Sequence, residues 1–299
     1  MTDRRRFLKA GAALAAAAAI KSQVSAAVPT DEQNAVCVFT KPFNSLSFEA
    51  LAAKTAALGF DGIEAPIRSG GHVEPEAVPD QLPKLMEALK ARGQQLTVMT
   101  SDINHVDSEV NEKVLQTAAG LGIRYYRLKY FKYDESRPVL AQIERWTKQL
   151  QDLAAANRQY GITGVYQNHA GRNYFGAPIW DLHKALQNIH PDEVGMAYDI
   201  RHATAESGMS WPVGFRLMRP HVRVVYVKDF VWGGDRPVNV PLGEGRVSPS
   251  FFKLLRETHF RGPISLHEEY LDHRQPDLVP DHWNAIERDL KTLRGWMKS

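Results

Sequence analysis

Val194-Gly195-Met196-Ala197-Tyr198 is an apolar run that ends in Asp199 and passes through Ile200 into Arg201 and His202. It reads as a buried strand whose last residue meets a polar environment. Seven more short runs rich in β-branched or aromatic residues lie at 36–39, 62–65, 96–100, 125–128, 163–167, 222–227 and 264–266. Amphipathic stretches at helical period fill the intervals, among them 47–58, 82–92, 110–121, 139–160 and 177–189. Gly59, Gly93, Gly122 and Gly161 stand where those helices would stop. Eight βα units without a break in composition predict an α/β fold of the (β/α)8 TIM-barrel type. A doubly wound sheet is the competing arrangement. The segments share no side-chain consensus, which argues against a solenoid.

Composition agrees with one large core. The 299 residues are 43% hydrophobic and 24% charged, with one cysteine, which excludes a disordered chain and a disulfide scaffold. The formal charge of +3 is concentrated at the start of the chain. Residues 1–26 hold Arg4, Arg5, Arg6, Lys9 and Lys21 against Asp3; without them 37 basic residues fall to 32 and 34 acidic residues to 33, a net of −1. No basic stripe remains to bind nucleic acid.

Residues 4–9, Arg-Arg-Arg-Phe-Leu-Lys, precede a mild, alanine-rich run at 10–20 that is too short for a membrane span. The arrangement resembles a twin-arginine (Tat) export signal with small residues for cleavage near Val24-Ser25-Ala26. Residues 1–26 are therefore expected to be a leader read by the Tat export machinery. Residues 27–299 are expected to be a single periplasmic barrel domain without a membrane span.

Catalytic groups in such a barrel come from the C-terminal ends of the strands and the loops that follow. Those positions hold Glu64, Arg68 and His72; Ser101 and Asp102; Lys129; Gln167, Asn168 and His169; Asp199, Arg201 and His202; Lys228 and Asp229; and His267, Glu268 and Glu269. Burying so many polar groups at one end costs several kcal/mol each unless they are paired, so they are expected to line a polar pocket. Glu64, His169, Asp199, His202, Lys228 and Glu268 are the candidate catalytic set. Arg68, His72, Lys129, Gln167, Asn168, Arg201, His267 and Trp232 are the candidate substrate contacts. Trp232 precedes Gly233-Gly234 and offers a flat wall for a sugar face, whereas Trp180 and Trp211 open helices and read as packing residues.

Five motifs occur in one order: 59–64 (Gly-Phe-Asp-Gly-Ile-Glu), 167–171 (Gln-Asn-His-Ala-Gly), 198–202 (Tyr-Asp-Ile-Arg-His), 227–229 (Val-Lys-Asp) and 242–245 (Leu-Gly-Glu-Gly). Together they resemble the xylose-isomerase-like TIM barrels, the sugar phosphate isomerase/epimerase superfamily that also includes endonuclease IV. The resemblance implies a sugar substrate and a divalent ion held by Glu, Asp, His and Glu at the ends of the last four strands. The corresponding positions are Gln167, Asp199, Tyr226 and His267, of which only Asp199 matches. If a metal binds, Asp199, His202 and His267 are its expected ligands, and such a nitrogen and carboxylate set suits Mn or Zn.

Without a metal, the chemistry needs a base for the proton beside a carbonyl, a donor for the developing enolate oxygen and an acid to return the proton. Lys228, Arg201 and Lys129 are the oxyanion donors on offer; Glu64, Glu268, His169 and His202 move protons. The leading expectation is an exported sugar or keto-sugar isomerase, epimerase or lyase. The alternative is a non-catalytic periplasmic carbohydrate-binding protein on a degenerate barrel. A DNA-repair role is disfavoured by the export signal, the neutral charge and the lack of a histidine-rich multi-metal set.

Overall fold

Eight parallel strands close on themselves in the computed structural model, which describes residues 34–299. They are β1 (Val36–Phe39), β2 (Gly62–Pro66), β3 (Gln95–Thr100), β4 (Tyr125–Arg127), β5 (Thr163–Gln167), β6 (Val194–Asp199), β7 (Val222–Val227) and, after a hairpin, β10 (Ile264–Leu266). The barrel closes where β1 pairs with β10 through Val36↔Ile264 and Val38↔Leu266, and with β2 through Cys37↔Gly62. The leader expected at 1–26 lies outside the described residues. No helix among the described residues is long and apolar enough to cross a membrane.

Four helices lie where the sequence pattern puts them, α1 (Phe48–Ala57), α2 (Val78–Lys90), α3 (Glu109–Gly120) and α4 (Val139–Tyr160), followed by α5 (Trp180–Leu186), α6 (Ile200–Ser207), α7 (Trp211–Met218), α8 (Ser250–Glu257) and α9 (Val279–Lys298). Ser47 caps α1 by accepting from Ala50 N at 3.2 Å, and Gly161 ends α4 in the left-handed region at φ 72°. The helix expected over 177–189 is shorter, because Ile179 sits at φ 68°, outside helical geometry, and α5 begins only after it.

Side chains alternate along each strand between two cores. Val98, Tyr125, Val165, Ala197, Val224 and Tyr226 fill the inside of the barrel. Ile63, Met99, Tyr126, Tyr166, Tyr198, Val225 and Leu266 pack outward under the helices. One element departs from the sequence pattern. Residues 230–233, outside the eight runs expected as strands, belong to an antiparallel hairpin of β8 (Asp229–Gly233) and β9 (Arg236–Val240). It rises from the C-terminal end of β7 and leans over the barrel mouth, where Arg201 Nη2 donates to Pro237 O at 3.4 Å and Asn239 Nδ2 donates to Glu269 O at 3.2 Å.

Candidate active site

Asp199 ends β6 with a fully buried side chain, and its surroundings are built from both neighbouring strands. Asn168, just past β5, clamps its backbone: Oδ1 accepts from Asp199 N at 2.8 Å and Nδ2 donates to Asp199 O at 3.0 Å. Asp199 Oδ1 caps α6 by accepting from His202 N at 3.1 Å. Asp199 Oδ2 accepts from Gln167 Nε2 at 2.8 Å and lies 3.3 Å from the Lys228 ammonium. Lys228 also donates to Glu269 Oε2 at 2.5 Å. Burial alone would pull the Lys228 amine down, but the Asp199 and Glu269 carboxylates outweigh it and hold the group protonated well above its ordinary range. For Glu269, burial pushes up while Lys228 outweighs it, so the carboxyl stays well below the usual carboxylate range.

Two neutral imidazoles face this pair, their rings 4.1 Å apart. Burial, helped by the nearby Lys228 charge, lowers His169 to about 4 and His202 well below its ordinary value. Their tautomers follow from their partners. His169 Nδ1 lies 2.8 Å from Ala170 O, which can only accept, so Nδ1 carries the proton and Nε2 keeps a free lone pair. His202 Nδ1 lies 3.0 Å from Arg201 Nη1, which can only donate, so the His202 proton sits on Nε2, 3.5 Å from Asp199 Oδ2. Tyr130 closes the far side: its hydroxyl donates to Gln167 Oε1 at 2.5 Å and its ring packs against His169.

The structure thus brings His169, Asp199, His202, Lys228, Gln167, Asn168 and Arg201 together, and places the other candidates elsewhere. Glu64 lies deeper in the barrel, accepting from Thr100 at 2.6 Å, Ser265 at 2.7 Å and His267 Nε2 at 2.9 Å. Burial pushes its carboxyl up, and His267 with the two hydroxyls brings it below its ordinary value; with both oxygens engaged it is a strut and not a base. Glu268 turns outward, fully buried against His282 of α9, and accepts from Tyr270 N and Leu271 N. His72 pins the end of β1 through Thr40. Lys129 is exposed. Trp232 stands on the hairpin, 45% exposed. Asp229 does not pair with Lys228; it accepts from the backbone N–H of Phe230, Gly243, Gly245 and Val247 and so organises the 242–247 loop.

Tyr130 and Arg127 lie outside the strand-end positions named from the sequence, and Glu269 stands among those positions but outside the candidate set; period two would have selected Glu269 and Arg127. Ser265 and His267 point inward to Glu64, so the next inward position is Glu269 and Glu268 must face the helices. Likewise Tyr125 is an inside residue, which turns Arg127 inward.

The donor set does not fit a divalent ion. Asp199 has both oxygens engaged and an ammonium already on Oδ2. Tyr226 is a fully buried phenol, its hydroxyl pushed well above its ordinary value by desolvation, and His267 Nε2 is bound to Glu64. Among the described residues no three His, Cys, Asp or Glu side chains converge on a point that would suit a metal.

Residues 52–298 match the profile of the xylose isomerase-like TIM barrels. No curated protein matches the chain in sequence. Solved structures with the same architecture include the probable 3-DHS dehydratase AsbF of Bacillus anthracis, 14% identical with a TM-score of 0.68, covering 88% of this chain and 99% of that one. A D-psicose 3-epimerase crystallised in the presence of D-fructose is 15% identical with a TM-score of 0.64, covering 88% and 99%. The 3-keto-D-glucoside 4-epimerase YcjR of E. coli is 13% identical with a TM-score of 0.64, covering 86% and 99%. At these identities the likeness establishes the fold.

Proposed function

The chain belongs to the xylose isomerase-like TIM barrel family, and from that premise we propose that it is a sugar or keto-sugar isomerase or epimerase working by proton transfer beside a carbonyl. The observation that carries this is the pairing of a fixed cation with a free base. Lys228 is held charged by Asp199 and Glu269, and a neighbouring neutral imidazole, His169, keeps an unshared lone pair on Nε2. In the reaction, His169 Nε2 takes the proton from the carbon beside the carbonyl. Lys228 Nζ stabilises the negative charge that develops on the oxygen, a preorganised electrostatic contribution. His202 Nε2–H supplies a second donor, oriented by Arg201. Asp199, locked by Gln167 and Asn168, keeps the ammonium and the imidazole in place.

The names of the similar structures support a sugar carbonyl as the reacting group, since two are sugar epimerases. The dehydratase among them fits a lyase variant, because elimination starts from the same proton abstraction. The test is incubation with a panel of aldoses, ketoses and keto-sugars in D2O, followed by NMR. Deuterium is expected at the carbon beside the carbonyl, and its absence across the panel would overturn the proposal. The lost metal-ligand positions Gln167, Tyr226 and His267 favour one second reading, a non-catalytic carbohydrate binder. That reading predicts sugar binding without exchange.

We also place the protein in the periplasm as a Tat substrate, on the strength of Arg4-Arg5-Arg6-Phe7-Leu8-Lys9. Replacing the three arginines by lysine is expected to retain the precursor in the cytoplasm; normal export of that variant would remove this reading.

A further inference from the structure

Around the ends of β1, β2 and β4, three cations stand without contacting a carboxylate. Lys41 follows β1, Arg68 follows β2 and Arg127 is the last residue of β4. Lys41 and Arg68 line a cavity of about 420 Å3 together with His273 and Arg274, which lie beyond β10. That volume falls in the range of about 300–1,000 Å3 usual for small-molecule sites. Arg274 is neutralised by Asp272 at 2.9 Å. Two further carboxylates are engaged as well, Glu64 by His267, Thr100 and Ser265, and Glu269 by Lys228. Asp102 lies near Arg68 and Arg127 but contacts neither.

Arg127 is the sharpest anomaly. Its side chain is 96% buried by the complement of its 4% exposure, it stacks over the Tyr130 ring at 4.8 Å, and its Nη1 has no hydrogen-bond partner. A buried guanidinium nitrogen left unsatisfied is costly, and such a group calls for a ligand oxygen. Burial lowers the Lys41 and Arg68 groups from their ordinary values, and the Arg127 charge adds repulsion at each, against the opposing pull of Glu269 on Lys41 and of Asp102 on Arg68. An anion placed among them would relieve both.

We propose that Lys41, Arg68 and Arg127 form an oxyanion subsite, and that the substrate is an acidic sugar derivative whose carboxylate or phosphate sits there while its carbonyl lies at Lys228. This deepens the isomerase or epimerase reading above and rests on it. Two guanidinium forks suit the bidentate recognition of either group.

The test measures binding by calorimetry at constant ionic strength, with inorganic phosphate, D-gluconate and neutral D-glucose as probes. One or both anions are expected to bind, with D-glucose at least about tenfold weaker. Arg68→Gln and Lys41→Gln, at half-buried positions, should each weaken anion binding by about 10- to 100-fold, the usual effect of losing a charged hydrogen-bond partner, with D-glucose unaffected. Arg127→Gln is the third variant, informative if it folds. Phosphate binding alone points to a sugar phosphate and gluconate binding alone to a sugar acid; either supports the subsite. Anions that bind no better than D-glucose, or that bind the Arg68 and Lys41 variants like the wild type, overturn it. Deuterium exchange separates the two proposals. Charge-dependent binding without exchange retains the subsite and removes the enzymatic reading, and exchange into neutral sugars without anion preference does the reverse.

Discussion

Lys228→Met removes the charge at the centre of the site while keeping an unbranched chain of similar length. The ammonium it replaces lies 3.3 Å from Asp199 and 2.5 Å from Glu269, on a side chain only 6% exposed. Two carboxylates would then face each other across a buried gap. Removing one partner of a buried ion pair costs about 3–5 kcal/mol. Coulomb's law gives a similar figure: like charges about 4 Å apart at an effective dielectric constant near 20 repel by about 4 kcal/mol. Each kcal/mol shifts Tm by about 2–4 °C in a chain of this size, so the variant should melt roughly 6–20 °C lower at pH 7.

The loss should depend on pH in a defined direction. In the wild type the Glu269 carboxyl is depressed by Lys228 against the opposing effect of burial. A depressed carboxyl contributes stability that is present above its unfolded value, about 4.3, and lost as pH falls through its folded value. Without Lys228 the depression vanishes, burial dominates, and Glu269 takes up a proton at a higher pH than in the wild type. The stability gap between the two proteins is therefore widest near neutrality and narrows as pH falls toward about 4. Thermal unfolding followed by circular dichroism between pH 4 and 8, beside deuterium exchange at pH 7, reads both effects. Turnover should fall by about 10²–10³-fold, the usual cost of one oxyanion donor. A wild-type Tm at pH 7, a gap that stays constant with pH, or undiminished exchange would refute the account of Lys228.

His169→Asn should lower exchange by about 10²–10⁴-fold, as expected for loss of a general base. Because burial and Lys228 lower His169 to about 4, wild-type activity should hold from neutrality down to that region and decline only below it; a decline centred near the ordinary histidine value would contradict the assignment. Dialysis against chelator should leave activity intact, and added Mn or Zn should not raise it, since Asp199 already binds an ammonium; metal-dependent recovery measured on the same exchange assay would show that the site rearranges to hold an ion. Gly245→Ala should destabilise the fold by about 1–3 kcal/mol through overpacking, because a Cβ there would lie 2.3 Å from Asp229 Oδ1 and 2.4 Å from Phe230 O; an unchanged unfolding midpoint would argue against Asp229 as the organiser of that loop.

The barrel was legible because its strands are short, parallel and covered on both faces, which leaves near-continuous apolar runs bounded by turn glycines. The run at 194–198 lies inside the observed β6, which reaches one residue further to Asp199. The hairpin was not read as strand, although Gly234-Asp235 between Val231-Trp232 and Val238 carries the two-residue turn pattern of a β-hairpin. It belongs to neither the barrel nor the helix layer, so the βα rhythm offers no place for it.

The sequence by itself determined which end of the barrel is polar and which residue types gather there, since strand order and direction follow from the βα alternation. Alternation also carried more than the strand-end positions alone, because parity along β10 already turns Glu269 inward and Glu268 toward α9. Only the tertiary structure decided which groups meet. Lys228 lies between Asp199 and Glu269, Asp229 serves a loop, and Glu64 is consumed by His267 and two hydroxyls. The physical reason is that a charge or proton acquires its role from partners within about 3–4 Å. Those partners come from strands far apart in the chain, so their contacts are set by barrel closure and register, which no local pattern encodes.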